Sequence, residues 1–382
     1  IFLLILIITI LMIYNKDSKS GIWSIIYITL TLIIALFYSM EHQYGNIEYF
    51  VSDESVFMAE EGANQLTELA KSDRLLWFSI LEWSSLGDFT TGLFSKLVSL
   101  SCIPILVYLI HSINKSNNSS YLALLFCPYI LYLSQTALRD VMLFTCTMLM
   151  IYLLCQNKFH RKNLFCIVIL ALCISLLRPF ALFIVLGSYF ITEYFYYVRG
   201  NRLKVKVIKT AISLLCISVL LLVIYFLFKE KIDQYIRTIN YLMEEGSMLD
   251  ESKSAIKPSL SLLYVAYASI RYISTPTPIA LIEQLFHGAT NFGYVHDTVR
   301  IFNQVIMYIM YIYVFCMVKY WRVVIKAIYK NKFFLSYSIF VVVNSLIYAM
   351  YYAGGGHSRV KIALFVFVFL ICTQLRECKK SV

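Results

Sequence analysis

Apolar residues fill long runs of this chain, and short polar segments separate the runs. A helix needs about 17–25 apolar residues to cross a membrane, where no water is present to satisfy an open backbone. The pattern predicts about eleven transmembrane helices, with boundaries placed only to within several residues. The predicted spans are 1–14, 21–39, 92–112, 121–134, 141–156, 164–177, 180–197, 210–228, 300–318, 333–352 and 359–375.

Composition indicates the same class of protein. The 382 residues are 60% hydrophobic and 14% charged, whereas soluble domains carry about 25% charged residues. The run 1–14 lacks the basic start and small-residue cleavage site of a signal peptide, so we interpret it as a helix. We predict an all-α, polytopic helical integral membrane protein that forms a single membrane domain over residues 1–382.

Charge predicts the orientation in the membrane. The excess positive charge, formally +11, resides in short loops between apolar runs, which is the positive-inside pattern. It therefore indicates no nucleic-acid partner. Nearly all acidic residues lie on the opposite side, with Asp17 and Glu377 as exceptions. We predict that the N-terminus faces outward and the C-terminus faces the cytoplasm.

Two long segments are predicted on the outer side, at about 40–91 and 229–300. The first is acidic, with a short helix expected at 55–69 and an apolar stretch at 75–83 that fits a helix in the membrane interface. The second has an apolar stretch at 259–270 that is too short to span, followed by a proline-rich turn. Irregular backbone at membrane depth requires protein or a wet cavity beside it, so we expect this segment to cover or line a cavity.

Two arginines interrupt the apolar region 121–190. Arg139 and Arg178 each lie at the tip of a hydrophobic hairpin, and both tips fall on the predicted outer side. An ionisable residue at such a place is costly and is a candidate for a functional site. The alternative is that each arginine only extends its guanidinium group to the lipid headgroups.

Further candidate residues gather near helix ends on this outer side. Guanidinium groups bind phosphate oxygens in pairs, and a nearby carboxylate or histidine can take a proton from an attacking hydroxyl. Together they indicate glycosyl transfer from a polyprenyl-phosphate donor. The cations are Arg139, Arg178, Arg271, Arg300, Arg359 and Lys361, and the acid–base candidates are Asp53, Glu54, Asp140 and His357.

Interpretations without a catalytic or binding role also stay open for these residues. The pair Asp53–Glu54 could cap a helix and open its first turn, and Arg359 with Lys361 could anchor a helix at the interface. Arg300 opens a span and His357 lies in a glycine-rich turn, where structural or solvated roles are common. No CxxC, HExxH, GxGxxG or Walker motif occurs, so we predict neither a metal site nor a cofactor.

The order of these features resembles a known family of enzymes. The first outer loop has Ser52-Asp53-Glu54 and later Leu-Gly-Asp-Phe at 86–89, followed by the stretch 127–134 and Arg139-Asp140. These resemble the GT-C membrane glycosyltransferases. Two opening helices, a second outer loop with Arg271 before Pro-Thr-Pro, and a final glycine turn before Arg359 are more similar to bacterial O-antigen and capsule repeat-unit polymerases.

This resemblance implies a function at the outer face of the bacterial inner membrane. Such an enzyme joins undecaprenyl-pyrophosphate-linked repeat units, so its partners would be a glycan donor, a glycan acceptor, the lipid bilayer and a chain-length regulator protein. The resemblance would place Arg139, Arg178, Arg271 and Arg359 at the pyrophosphate or glycan, with Asp53 or Glu54 as the first-loop acid. Two alternatives are another GT-C transferase with a polyprenyl-phosphate sugar donor, and a lipid-linked oligosaccharide flippase.

Overall fold

The structure is a computed structural model, and it describes residues 2–45, 88–114, 118–136, 139–156, 161–199, 229, 262–286, 293–351 and 358–380. Every regular element in these ranges is helical. The α-helices are α1 (Phe2–Lys16), α2 (Ser18–Gly45), α3 (Asp88–Ile113), α4 (Pro128–Leu133), α5 (Asp140–Leu154), α6 (Arg161–Leu177), α7 (Pro179–Arg199), α8 (Leu262–Ser274), α9 (Pro278–Phe286), α10 (Gly293–Cys316), α11 (Trp321–Lys330), α12 (Lys332–Tyr351) and α13 (Ile362–Lys380); short 3₁₀ turns cover Asn118–Ala123, Val318–Tyr320 and Ser358–Lys361.

The helices confirm the prediction of a helical membrane protein. Within the described residues, five helical segments are long and apolar enough to cross a membrane: Ser18–Glu41, Lys96–Ile113, Phe180–Tyr197, Gly293–Cys316 and Lys332–Met350. Three shorter apolar helices contain Leu3–Lys16, Asp140–Leu154 and Asn163–Leu177. The count of about eleven spans stays a prediction, and the span predicted at 210–228 lies outside the described residues.

One predicted span has a different structure. The run 121–134 was expected to form a single helix, but it is divided between a 3₁₀ turn that ends at Ala123 and the six-residue α4. Pro128 opens α4 and has no N–H group to continue the preceding turn, so the helix starts afresh there. Six helical residues extend only about 9 Å, so α4 alone cannot cross a membrane.

The chain divides into two compact units. Unit 1 contains Ile1–Val185, Pro276–Ser338 and His357–Val382, and unit 2 contains Leu186–Thr275 and Ile339–Gly356. In unit 1, α1 and α2 form a hairpin that packs on α3, and α3 packs on α5. Gly21 permits this hairpin, because a Cβ atom there would lie 2.7 Å from the Cβ of Tyr14.

Polar contacts in unit 1 join helix ends that the orientation prediction places on one side. The turn between α1 and α2 meets the 3₁₀ turn at Asn118–Ala123, because the Tyr121 hydroxyl donates to Asp17 at 2.8 Å. The Asn331 amide, just before α12, donates to the Ile113 carbonyl at the end of α3 at 2.6 Å. We call this the Asp17 end of unit 1. The last turn of α2 lies at the other end, which we call the Glu41 end.

Described parts of unit 2 include α8, whose buried side has Tyr264, Ala268 and Tyr272 at helical spacing. The short helices α8 and α9, of 13 and 9 residues, agree with the prediction that this stretch does not span. The helices expected at 55–69 and 75–83 lie outside the described residues.

Candidate functional site

Helix α10 places its polar side chains toward the protein interior. His296, Asp297, Asn303 and Gln304 are at most 6% exposed. The apolar Phe302, Ile309 and Ile312 on the same helix are more than 60% exposed. Such a distribution suits a helix with lipid on one side, and buried polar residues within a membrane span mark candidate functional sites.

A histidine–aspartate pair lies in the first turn of α10. His296 Nδ1 lies 3.1 Å from Asp297 Oδ1, so the carboxylate accepts a hydrogen bond and the proton resides on Nδ1. In the neutral ring Nε2 is then an acceptor, and it lies 3.4 Å from the hydroxyl of Tyr129 on α4. The Tyr132 ring lies 5.5 Å from the imidazole ring, centroid to centroid. The imidazole is thus held in one tautomer, with its accepting nitrogen directed at a hydroxyl.

Glu41 orders the start of α10. Its carboxylate accepts hydrogen bonds from the backbone N–H groups of Tyr294 and Val295, the latter at 2.9 Å. These N–H groups belong to the first turn, where no intrahelical acceptor exists. Gly293 begins the helix with φ 85°, a conformation that favours glycine. Glu41 therefore joins α2 to α10 and sets the position of His296.

Two cations complete this group. Lys361, in the 3₁₀ turn before α13, is 1% exposed, and that turn packs against α4. Arg300 on α10 acts electrostatically on both Lys361 and His296. We call these five residues the charged cluster: Glu41, His296, Asp297, Arg300 and Lys361. With the hydroxyl of Tyr129 beside it, the charged cluster combines a proton acceptor with positive charge, which suits an oxyanionic ligand that has a reacting hydroxyl.

The hairpin-tip arginines predicted from the sequence are brought together. The Arg139 guanidinium, which is 6% exposed, donates to the backbone carbonyl of Leu177, one residue before Arg178. Arg178 is half-buried, with its guanidinium carbon 5.4 Å from the centre of the Phe180 ring. The two tips therefore lie at one place in unit 1. Arg139 joins α5 to α6 there, in addition to any contact with a ligand.

The other predicted residues are distributed differently. Asp140 begins α5 and is 9% exposed. Arg271 lies in the last turn of α8, in unit 2, so the structure does not assign it to the charged cluster. Arg359 lies in the 3₁₀ turn that includes Lys361. Asp53, Glu54 and His357 lie outside the described residues.

Glu41, His296 and Asp297 were not identified as site residues from the sequence. A signal was present, because His-Asp followed by Arg300 opens an apolar run, and all three positions fall within 1.4 turns of a helix. The predicted span began only at 300, which assigned the His-Asp pair to a loop. The observed start at Gly293 places the pair on the buried side of α10.

Two tests for relatives and metals give negative results. In the part of the chain that the structure describes, no group of three histidine, cysteine or acidic side chains is arranged to hold a metal ion. No protein-family model, curated protein or solved structure matches the chain.

Proposed function

We propose that this protein is a membrane glycosyltransferase that polymerises undecaprenyl-pyrophosphate-linked oligosaccharide repeat units at the outer face of a bacterial inner membrane. The observation that carries the proposal is the charged cluster, in which an oriented, buried histidine lies with the buried Lys361 and the half-buried Arg300 at the Glu41 end. This end is the last turn of α2, which the sequence places directly before the predicted first outer segment. A glycan acceptor that approaches from the predicted outer side would meet the cluster there.

The proposed reaction is an inverting displacement. A hydroxyl of the acceptor sugar attacks the anomeric carbon of the donor, a new glycosidic bond forms, and the bond from that carbon to the pyrophosphate oxygen breaks. His296 accepts the hydroxyl proton at Nε2, where Tyr129 lies in the structure. Arg300 and Lys361 stabilise the negative charge that develops on the departing pyrophosphate. Asp53 and Glu54 stay as alternative bases.

A second candidate function is transport of the lipid-linked glycan. Asn303 and Gln304 favour it, because their fully buried amides continue the polar side of α10 inward from the cluster. Asn303 is ten residues beyond Gly293, a rise of about 15 Å, which is about half of the hydrocarbon thickness. Polar groups near the membrane centre are typical of substrate pathways.

Glycan analysis separates the two functions. The gene would be deleted in the source organism, and the surface glycan and the lipid-linked intermediates would be extracted and sized. A polymerase defect leaves glycans of a single repeat unit, exported and attached to their final carrier. A transport defect leaves no surface glycan, with the lipid-linked unit retained inside. The proposal fails if long polymer persists in the deletion strain.

A further inference from the structure

Helix α11 separates three kinds of side chain around its axis. At 100° per residue, Arg322, Lys326 and Lys330 form one edge, and Val324 and Ile328 lie opposite. Val324 is 4% exposed and packs with Leu375 and Cys378 of α13, beside Ile328. One side of α11 is therefore attached to unit 1, and its basic edge points away from that attachment.

A third side of α11 is apolar and exposed. Trp321, Ile325 and Tyr329 follow one another at four-residue spacing and are 41%, 47% and 42% exposed. The Trp321 indole N–H donates to the Val314 carbonyl of α10 at 3.0 Å, which holds the first turn in place. Exposing three such side chains to water costs free energy. Aromatic rings with a polar edge are instead favourable in the membrane interface.

The charge of this segment has a single sign. No acidic residue occurs from 317 to 332. The predicted spans 300–318 and 333–352 leave this segment as a connecting loop, whereas the structure has a helix there. A helix with a basic edge beside an apolar flank is the arrangement of helices that lie in the membrane interface. The basic residues are Lys319, Arg322, Lys326, Lys330 and Lys332.

We propose that α11 is a binding surface for anionic phospholipids. Trp321, Ile325 and Tyr329 lie beside the acyl chains, while Arg322, Lys326 and Lys330 bind headgroup phosphates. The occupant follows from charge complementarity: a leaflet with anionic headgroups attracts basic residues near its surface, and these lysines belong to the predicted cytoplasmic side. The inference is independent of the proposed glycosyltransferase activity.

Tryptophan quenching in lipid bilayers tests this surface. The full-length chain would be reconstituted in vesicles that contain dibrominated phosphatidylglycerol or dibrominated phosphatidylcholine. The chain has four tryptophans, so the signal of Trp321 is the difference between wild type and Trp321→Phe. We expect quenching of Trp321 by both lipids, with stronger quenching by phosphatidylglycerol. Raising the salt concentration to about 0.5 M should reduce the preference, because it shortens the screening length.

Two variants distinguish the effect of net charge from the effect of how basic and apolar side chains are arranged around α11. Arg322→Gln/Lys326→Gln/Lys330→Gln should decrease the preference for phosphatidylglycerol by about two orders of magnitude, because each basic residue near an anionic surface contributes about 1 kcal/mol. The exchange variant Ile325→Lys/Lys326→Ile has the same composition and net charge as wild type but disrupts both sides of the helix, so it should also lose the preference. Lys19→Gln, an exposed lysine at the Asp17 end, should retain it. If the triple variant does not fold, Lys326→Gln alone replaces it, with a smaller decrease.

Three results would overturn the proposal. Equal quenching by the two lipids would show that the basic edge does not select anionic headgroups. A preference unchanged in the exchange variant would show that net charge acts without α11. Absence of Trp321 quenching would place the helix away from lipid, and its basic edge would then be a surface for an acidic protein.

Discussion

A histidine, a tyrosine and a carboxylate lie close together near each end of unit 1, but the carboxylates at the two ends accept hydrogen bonds from different groups. At the Asp17 end, Asp17 accepts hydrogen bonds from the Ser20 and Tyr121 hydroxyls, and His111 lies 4.0 Å away. The His111 ring stacks on Tyr121, with centroids 4.2 Å apart, and its Nδ1 atom is 3.0 Å from the Ser120 hydroxyl. We call these five residues the Asp17 cluster: Asp17, Ser20, His111, Ser120 and Tyr121.

The charged cluster at the Glu41 end uses its carboxylates differently. Its carboxylates order a helix start and a histidine tautomer, and it also contains two cations, one of which is almost completely buried. Burying a charge costs free energy unless partners compensate for it. In the Asp17 cluster, the carboxylate accepts hydrogen bonds from two hydroxyls and has His111 beside it, and none of the five residues is a lysine or an arginine. The comparison shows that similar residues lie among neutral hydroxyls at one end and among basic side chains at the other, and the proposed reaction requires the second arrangement.

The largest expected effect is on turnover, from His296→Gln. Glutamine retains hydrogen-bonding capacity but cannot accept the proton, so the rate of polymer formation should fall by about 10²–10⁴-fold. The measurement is polymerisation of lipid-linked repeat units by the purified protein. The matched control is His111→Gln, which should retain the wild-type rate. If both variants lose turnover equally, or neither does, the proposed difference between the clusters is wrong.

Lys361→Met should lower activity without lowering stability. Burial and the neighbouring Arg300 both disfavour the charged form of Lys361, and methionine has no charge to bury, so the free energy of unfolding should stay the same or rise. Loss of a charge-assisted contact of about 1.5–3 kcal/mol to the pyrophosphate should lower kcat/KM by about 10–100-fold. The control is Lys19→Met at the exposed Asp17 end, with no change expected in either quantity. A variant that is less stable and fully active would identify Lys361 as a structural residue.

Asn303→Leu/Gln304→Met tests whether the buried polar side of α10 lowers the stability of the protein. Within the described residues, the two side-chain amides have no hydrogen-bond partner, and each such group costs about 1–3 kcal/mol. Apolar replacements should therefore raise the thermal unfolding temperature in detergent. Thr145→Val, which removes a hydroxyl bonded to the Val141 carbonyl at 2.7 Å, should not. Lower stability of the double variant would mean that these amides already hold the structure together.

The smallest effect is expected at Asp17, and it depends on pH. Burial by itself would raise the pKa of Asp17, but hydrogen bonds from Ser20 and Tyr121 and the nearby His111 lower the pKa below its usual value. Its contribution is therefore complete above the unfolded pKa of about 4 and is lost as pH falls through the lowered folded value. Asp17→Ala should cost about 1 kcal/mol at pH 7, mainly through the lost N-cap of α2.

Thermal unfolding of wild type and Asp17→Ala between pH 3 and 7 measures this contribution. The difference between the two proteins should decrease toward the acidic limit. Asp17→Asn is the control, because its amide oxygen can still cap the helix but cannot lose a proton. A difference that stays constant over the whole range would show that the carboxylate charge does not matter.

Local sequence determined much of the helical framework. Long apolar runs must form helices in lipid, since each backbone group needs a partner within the segment. Most described helices therefore lie within a few residues of their predicted positions, and Arg139 and Arg178 meet as two hairpin tips on one side. Two local errors have local causes. Pro128 restarts a helix within the run 121–134. The apolar Val324 and Ile328 are too few among basic residues to signal α11 in the sequence, which predicts a loop there.

Only the tertiary structure decided which residues form the charged cluster. Tyr129 and His296 are 167 positions apart in the sequence, and Glu41 meets the backbone of Val295 across 254 positions. Periodicity identifies a helix and its polar side but does not identify the partner of that side, because many pairings of apolar helices bury similar areas. The carboxylate of Glu41 sets the start of α10 at Gly293. His296, which the sequence places in a loop, is therefore buried in the first turn of the helix.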